Sequence, residues 1–237
     1  MTEAPAEIRD KLAIVLDVDD LVVALRMARE LRPWFGTAKV GLELYSSVGP
    51  DAVTALTDLG YDVFADLKFY DIPTTVNRGA RVVGSLGARY LNFHAQGGPA
   101  MLRAGVEGLK QGALDAGLRE PVALAVTVLT SDSEAPPHIL GKRVQAALES
   151  DCDGIVCAAT DVHEAKQYGP RLIAVVPGIR PAGFPRHEQA RAATPREALD
   201  AGADLLVIGR SVTAADDPQA VAAAIVEELI AAPEPTQ

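Results

Sequence analysis

Aromatic residues are scarce, only 5% of a 237-residue chain that is 49% hydrophobic. A core with so few rings must be packed from Val, Leu, Ile and Ala, as in parallel α/β proteins. Cysteine is scarcer still, with only Cys152 and Cys157. Two thiols make no disulfide framework, and no Cys or His stands at zinc-finger spacing. Both read as small hydrophobes in or beside a buried strand. No apolar run approaches the roughly 20 residues that a membrane span needs. The acidic start, Met1 to Asp10, lacks the apolar region of a signal peptide. The expectation is a cytoplasmic protein with no membrane contact. Cations are also few: 22 Lys and Arg against 32 Asp and Glu give a formal net charge of −10. That balance argues against a nucleic-acid partner, which needs a basic face. An anionic ligand would be repelled by the chain as a whole and must be held by local cations.

The chain also lacks a G-x-G-x-x-G fingerprint after its first apolar run. That weakens a doubly wound open sheet, the main alternative for alternating strands and helices. The alternation itself is clear. Strand-like runs are expected at Leu12–Val18, Ala38–Leu42, Val63–Leu67, Tyr90–Phe93, Val122–Leu129, Gly154–Ala158, Leu172–Val176 and Leu205–Ile208. Helical spacing recurs between them, as in Leu21–Leu31, Ala52–Leu59, Met101–Leu118 and Pro218–Ala231. Eight such pairs in about 240 residues predict one α/β domain, a (β/α)8 TIM barrel over residues 1–237. No linker divides it, and residues 1–10 and 231–237 are expected to fray. The longest irregular stretch, Pro177 to Pro195, reads either as a lid or as a surface excursion.

One segment concentrates chemistry: Asp66-Leu67-Lys68-Phe69-Tyr70-Asp71-Ile72-Pro73. Alternation along a strand puts Asp66 and Lys68 on one face. Asp71 follows the strand end, where Pro73 stops further pairing. A lysine between acids keeps its proton, the state a proton donor needs. The same group also reads as a structural salt bridge at a strand end, and the segment alone does not separate the two readings.

Barrel active sites lie at the C-terminal ends of the strands. Polar residues gather at that end: Asp17 after the first strand, Lys39 in the second, Asp66 and Lys68 after the third. His94 follows the fourth, Thr130-Ser131 the fifth, Pro177-Gly178-Ile179-Arg180 the seventh and Gly209-Arg210-Ser211 the eighth. Asp17, Lys39, Asp66, Lys68 and Asp71 suggest an alternating charge network. Gly209 and Arg210 read as a phosphate site, where backbone can approach an anion and a guanidinium can fork it, or as a tight turn with a surface arginine. Arg180 and Gln189 on the long loop are placed to close over the same group. His94 reads as packed beside the site rather than as a catalyst. His138, His163 and His187 carry no signal.

In this order the pieces resemble the orotidine 5′-phosphate decarboxylase family. They are Leu16-Asp17, Lys39-Val40-Gly41-Leu42-Glu43-Leu44, and Asp66 to Val76 with its D-x-K-x-x-D pattern. Next come His94-Ala95-Gln96-Gly97-Gly98, Thr127-Val128-Leu129-Thr130-Ser131 and Pro177-Gly178-Ile179-Arg180-Pro181. Glu188-Gln189-Ala190-Arg191 and Gly209-Arg210 complete the set. The resemblance implies decarboxylation of a pyrimidine nucleotide in pyrimidine biosynthesis, with no metal or organic cofactor. It implies Lys68 as the proton donor to C6 and Asp66 as the carboxylate beside the departing CO2. Lys39, Asp66, Lys68 and Asp71 become the charge network, with Asp71 entering from the partner of a homodimer with shared sites. Asp17 and Lys39 become ribose contacts, with Thr75 another from the partner. Thr130 falls on the pyrimidine side, and Arg180, Gln189, Gly209 and Arg210 on the phosphate side. Glu188 stands where the family often has Asp. Metal-dependent sugar-phosphate enzymes share D-x-K-x-x-D but stabilise an enediolate with Mg²⁺. Thr130-Ser131 and the Arg180–Gln189 loop favour the nucleotide. A silent barrel that only binds a phosphorylated ligand need not keep the costly Asp66–Lys68–Asp71 charges.

Overall fold

Among residues 3–132, 135–181 and 193–231, which the computed structural model describes, eight parallel strands close on themselves in chain order. They are β1 (Leu12–Val15), β2 (Thr37–Val40), β3 (Asp62–Phe69), β4 (Tyr90–His94), β5 (Val122–Val126), β6 (Gly154–Val156), β7 (Ile173–Ile179) and β8 (Leu205–Ile208). Ala13 pairs with both Thr37 of β2 and Val207 of β8, so the sheet has no edge. Helices run between the strands on the outside, among them Leu21–Leu31, Pro73–Ser85, Gly98–Asp115 and Pro218–Ile230. This is the single-domain (β/α)8 barrel expected from the alternation.

Each strand is buried on both faces, which explains apolar runs without polar alternation. Inward positions fill the barrel: Ala13, Phe64, Val122, Leu124, Val126, Val156, Val175, Leu205 and Val207. Outward positions such as Leu12, Ile14, Val63, Ala65, Leu91 and Phe93 pack under the helices. The same two-residue period lifts polar groups to the C-terminal mouth. Two residues beyond inward Val15 stands Asp17, and two beyond inward Phe64 stands Asp66.

Several boundaries differ from the sequence reading. β1 ends at Val15, three residues early. Leu16 still donates its N–H to the Lys39 carbonyl at 3.1 Å, and the chain then leaves for the Asp20 cap of the next helix. β3 runs on to Phe69 through an irregularity. Ala65 pairs with Leu91 and Phe69 with Phe93, so four steps on β3 face two on β4. Lys68, inside this bulge, takes the left-handed conformation with φ 48°, rare for a residue with a long side chain. β7 continues to Ile179 through Gly178 at φ 80°.

Residues 3–10 do not fray. Ala6–Arg9 forms a short helix, and buried Ala4 donates its N–H to the Pro33 carbonyl at 3.0 Å. The Arg9 carbonyl accepts from Gly36 at 2.9 Å. These bonds tie the segment to the turn before β2. Gln189 and most of the expected lid, 182–192, lie outside the described residues, as do 232–237 of the expected frayed tail. Among the described residues no helix is long and apolar enough to cross a membrane.

The helices after β3 and β4 touch backbone to backbone. A Cβ added at Gly112 would stand 2.0 Å from the Arg81 carbonyl oxygen, and one at Gly108 2.2 Å from that of Asn77. Neither obstacle is a side-chain tip that can swing away. Gly112→Ala gains about 1 kcal/mol of helix propensity, but overpacking costs about 1–3 kcal/mol or more. The expected net result is a melting temperature lowered by several degrees. An unchanged or raised value in thermal unfolding would contradict this packing.

Candidate active site

The mouth of the barrel holds an alternating chain of charges. Asp17 Oδ1 lies 3.2 Å from Lys39 Nζ, and Lys39 Nζ lies 3.2 Å from Asp66 Oδ2. Asp66 Oδ1 in turn accepts from Lys68 Nζ at 2.6 Å. Lys39 is buried, and the Asp66 side chain is only 15% exposed. Taking such charges out of water carries a penalty that each repays only through its neighbours. Gly41 makes the first link possible, because a Cβ there would stand 2.4 Å from Asp17 Oδ1 and 2.8 Å from Lys39 Nζ.

Burial pushes the Asp66 carboxyl up. The Lys39 and Lys68 ammoniums, with hydrogen bonds from Lys68 and Asn92, more than offset this and hold it below the ordinary carboxylate range. Asp66 is therefore a carboxylate at neutral pH, and any second carboxylate beside it would be repelled.

Asn92 is a residue that the sequence reading missed. It is fully buried on β4. Its Oδ1 accepts from the Lys68 backbone N–H at 2.7 Å, and its Nδ2 donates to Asp66 Oδ1 at 2.7 Å. The available signal was a carboxamide between apolar Leu91 and Phe93, since a buried amide must find partners.

A cleft of about 520 Å³ opens over this chain of charges. That volume suits a ligand of nucleotide size. Asp17, Lys39, Asp66 and Lys68 line one part, and Arg180, Gly209 and Arg210 another. Val15, Phe64, Val126, Val156 and Val207 add apolar lining, and Thr130 joins them. Arg180 is buried, bonds the Ile179 carbonyl at 3.1 Å, and has a buried Nε with no hydrogen-bond partner among the described residues. Burial, and then the nearby Arg210 guanidinium, work against its charge. Two cations facing one space call for an anion between them. At Gly209 a Cβ would meet nothing nearer than Val15, at 3.5 Å. Space alone therefore does not demand glycine there, but the backbone does: φ −117° with ψ −120° lies outside the regions that residues with a Cβ favour.

The structure brings together Asp17, Lys39, Asp66 and Lys68, and gathers Thr130, Arg180, Gly209 and Arg210 around the same cleft. It does not bring Asp71 or Thr75 into that cleft. Both are exposed, and Asp71 Oδ1 accepts from the Ile72 N–H at 2.6 Å. Exposed Tyr70 and Ile72 flank Asp71. The His94 ring lies tilted by 50° against that of Tyr70, 5.7 Å between centroids, and its Nδ1 accepts from the Gln96 N–H at 3.3 Å. Burial, with the charges of Arg143 and Lys68, pushes the His94 pKa down, so the ring is neutral at pH 7. Among the described residues no group of three or more His, Cys, Asp and Glu is arranged to hold a metal ion.

Fold and mouth together define a class: a (β/α)8-barrel enzyme whose cleft is lined by both an Asp–Lys array and two neighbouring arginines. Comparison with known proteins narrows it. The family model described as "Orotidine 5'-phosphate decarboxylase / HUMPS family" matches residues 10–225. A Moorella thermoacetica protein named orotidine 5′-phosphate decarboxylase is 43% identical over 233 residues, covering 93% of this chain and 92% of that one. One of the same name from Pseudoalteromonas translucida is 40% identical over 230 residues, covering 92% and 97%. The crystal structure of the Lactobacillus acidophilus orotidine 5′-phosphate decarboxylase superposes with a TM-score of 0.79 at 33% identity, covering 94% of this chain and all of that one. The chain belongs to the orotidine 5′-phosphate decarboxylase / HUMPS family.

Proposed function

We propose that this protein converts orotidine 5′-phosphate to uridine 5′-phosphate and CO2, as a cytoplasmic homodimer that needs no metal or organic cofactor. The observation that carries the reading is the mixed lining of one cleft. Its lining combines the Asp17–Lys39–Asp66–Lys68 array, the Arg180 and Arg210 guanidiniums and an apolar set that includes Val15, Phe64 and Val207. A flat base that carries a carboxylate and, through a ribose, a phosphate matches that lining.

The phosphate sits between Arg180 and Arg210 against the Gly209 backbone, with Gln189 as a further donor. Asp17 and Lys39 hold ribose hydroxyls, and Thr130 borders the pyrimidine. The substrate carboxylate then lies beside Asp66. As the bond from C6 to the carboxylate carbon breaks, CO2 departs and the electron pair stays on C6. The Lys68 ammonium stabilises that charge through space and then gives its proton to C6. The neutral amine recovers a proton from solvent after product leaves. Phosphate binding, remote from C6, supplies energy that is expressed in the transition state through loop closure and exclusion of water.

Asp71 and Thr75 act in the neighbouring subunit's site, and the exposure of Asp71 with Tyr70 and Ile72 supports this placement. A mixture of Lys68→Ala and Asp71→Ala chains tests it. In a mixed dimer one site carries both substitutions and the other carries neither, so activity should return although each homodimer alone is nearly dead. No recovery, with mixed dimers shown to form, would place Asp71 and Lys68 in one chain's site and leave the decarboxylase reading standing.

The activity itself is tested by the fall in orotidine 5′-phosphate absorbance with purified protein and excess chelator. Turnover should be unaffected by the chelator. Loss of activity restored by Mg²⁺ would favour the sugar-phosphate enzymes that share D-x-K-x-x-D.

A further inference from the structure

We propose that Asn92 is a positioning residue for the reaction, holding the backbone of Lys68 and the carboxylate of Asp66 in register with each other. The inference rests on the decarboxylase reading of the same site.

The argument begins with the bulge. Four steps along β3 against two along β4 leave residues 66–68 without a regular ladder opposite Asn92. An unpaired buried N–H is costly. At Lys68 the ladder partner is replaced by a side chain: Asn92 Oδ1 accepts that N–H at 2.7 Å. The bond stabilises a backbone conformation, φ 48°, that a lysine does not favour. The same carboxamide donates through Nδ2 to Asp66 Oδ1, also at 2.7 Å. That oxygen is the one Lys68 Nζ reaches at 2.6 Å, while Oδ2 faces Lys39 at 3.2 Å. Asn92 thus sets both the direction from which the ammonium arrives and the plane of the carboxylate that receives it.

The amide has one workable orientation. Flipped, its NH2 would face the Lys68 N–H and its oxygen would face a carboxylate oxygen. Aspartate lacks the donor and leucine lacks both groups. A fold requirement alone would be met by regular pairing with an apolar residue at 92, as at Leu91 and Phe93. The bulge and its amide brace serve the placement of Lys68.

Two variants test this, assayed beside the wild type with orotidine 5′-phosphate. Asn92→Leu keeps the forked outline of the side chain, slightly enlarged, and removes both hydrogen bonds. Its kcat should fall by about 100-fold or more, the scale of an ångström of misplacement. KM should stay within about threefold, because the groups proposed to hold phosphate and ribose are untouched. Asn92→Asp keeps the acceptor for Lys68 and sets a second carboxylate against Asp66. The groups facing the new carboxyl are Asp66 and Lys68 from β3 and Lys39 from β2, with His94 two residues away on β4. At pH 8 the two acids repel. As pH falls they share a proton, and that O–H donates where Nδ2 did. The ratio of variant to wild-type kcat should therefore rise by about 10-fold or more between pH 8 and pH 5, the scale of regaining one charge-assisted hydrogen bond.

A merely structural role would lower the melting temperature and leave that ratio flat. Asn92→Leu with kcat within about threefold of wild type, or a flat Asn92→Asp ratio, overturns the proposal. If Asn92→Leu fails to fold, judged by circular dichroism and uridine 5′-phosphate binding, the Asn92→Asp profile decides alone. A wild type without turnover overturns the decarboxylase reading and this inference with it. An active wild type with indifferent variants overturns only the inference.

Discussion

Lys68→Ala is expected to lower kcat by at least about 10⁴-fold, the combined scale of a lost general acid and a lost preorganised charge. The two losses fall on the same step. Without the ammonium, charge developing on C6 meets the Asp66 carboxylate, which opposes it, and Lys39 is already engaged by Asp66 and Asp17. Without the proton donor, the carbanion must wait for water in a cleft that closure is meant to dry. KM should change far less, since the cationic end of the cleft is intact. Steady-state kinetics on protein checked for folding decide the matter. A variant retaining more than about a tenth of wild-type kcat, a difference near 1.4 kcal/mol, would show that Lys68 does not carry the chemistry.

Arg210→Ala should lower kcat/KM by about 30-fold to 3000-fold, the range for truncating one partner of a desolvated charge pair. Arg180→Ala should fall in the same range, because Arg180 is buried with an unsatisfied Nε and gains most from an anion. Gln189→Ala should lose less, having removed a neutral donor. The informative control is a substrate lacking the phosphate. Binding energy from the remote phosphate assists closure as well as affinity, so the truncated substrate should be nearly insensitive to any of the three changes. Equal losses for whole and truncated substrates would show that these residues do not hold the phosphate.

The barrel was legible because burial on both strand faces leaves continuous apolar runs, eight of them alternate with helical spacing, and no G-x-G-x-x-G follows the first. The strand ends were less so. β3 was expected to stop at Leu67, because nothing in Asp66-Leu67-Lys68 announces a left-handed lysine or a two-residue bulge. Alternation placed Asp66 and Lys68 on one face. In the structure the bulge and the Asn92 brace accompany their contact. Asn92 itself was passed over because it looks like one polar residue in an apolar strand, and its importance appears only with its two partners. Asp17, Lys39 and Asp66 were readable from inward periodicity at the barrel mouth. Asp71 and Thr75 are a different case: their proposed roles depend on a second chain, and one chain's geometry leaves them exposed. The bonds that hold the N-terminal segment were not legible, because its anchors, the carbonyl of Pro33 and the N–H of Gly36, are backbone groups without a side-chain signature.

The central claim is that this cleft removes CO2 from orotidine 5′-phosphate and protonates the same carbon. Proton NMR of the reaction in D2O, with chelator present, follows both events in one sample. The account predicts one uridine 5′-phosphate for each orotidine 5′-phosphate consumed, with a single deuteron at C6, for the wild type and not for Lys68→Ala. No uridine 5′-phosphate from the wild type, or formation only after Mg²⁺ is added, would contradict it.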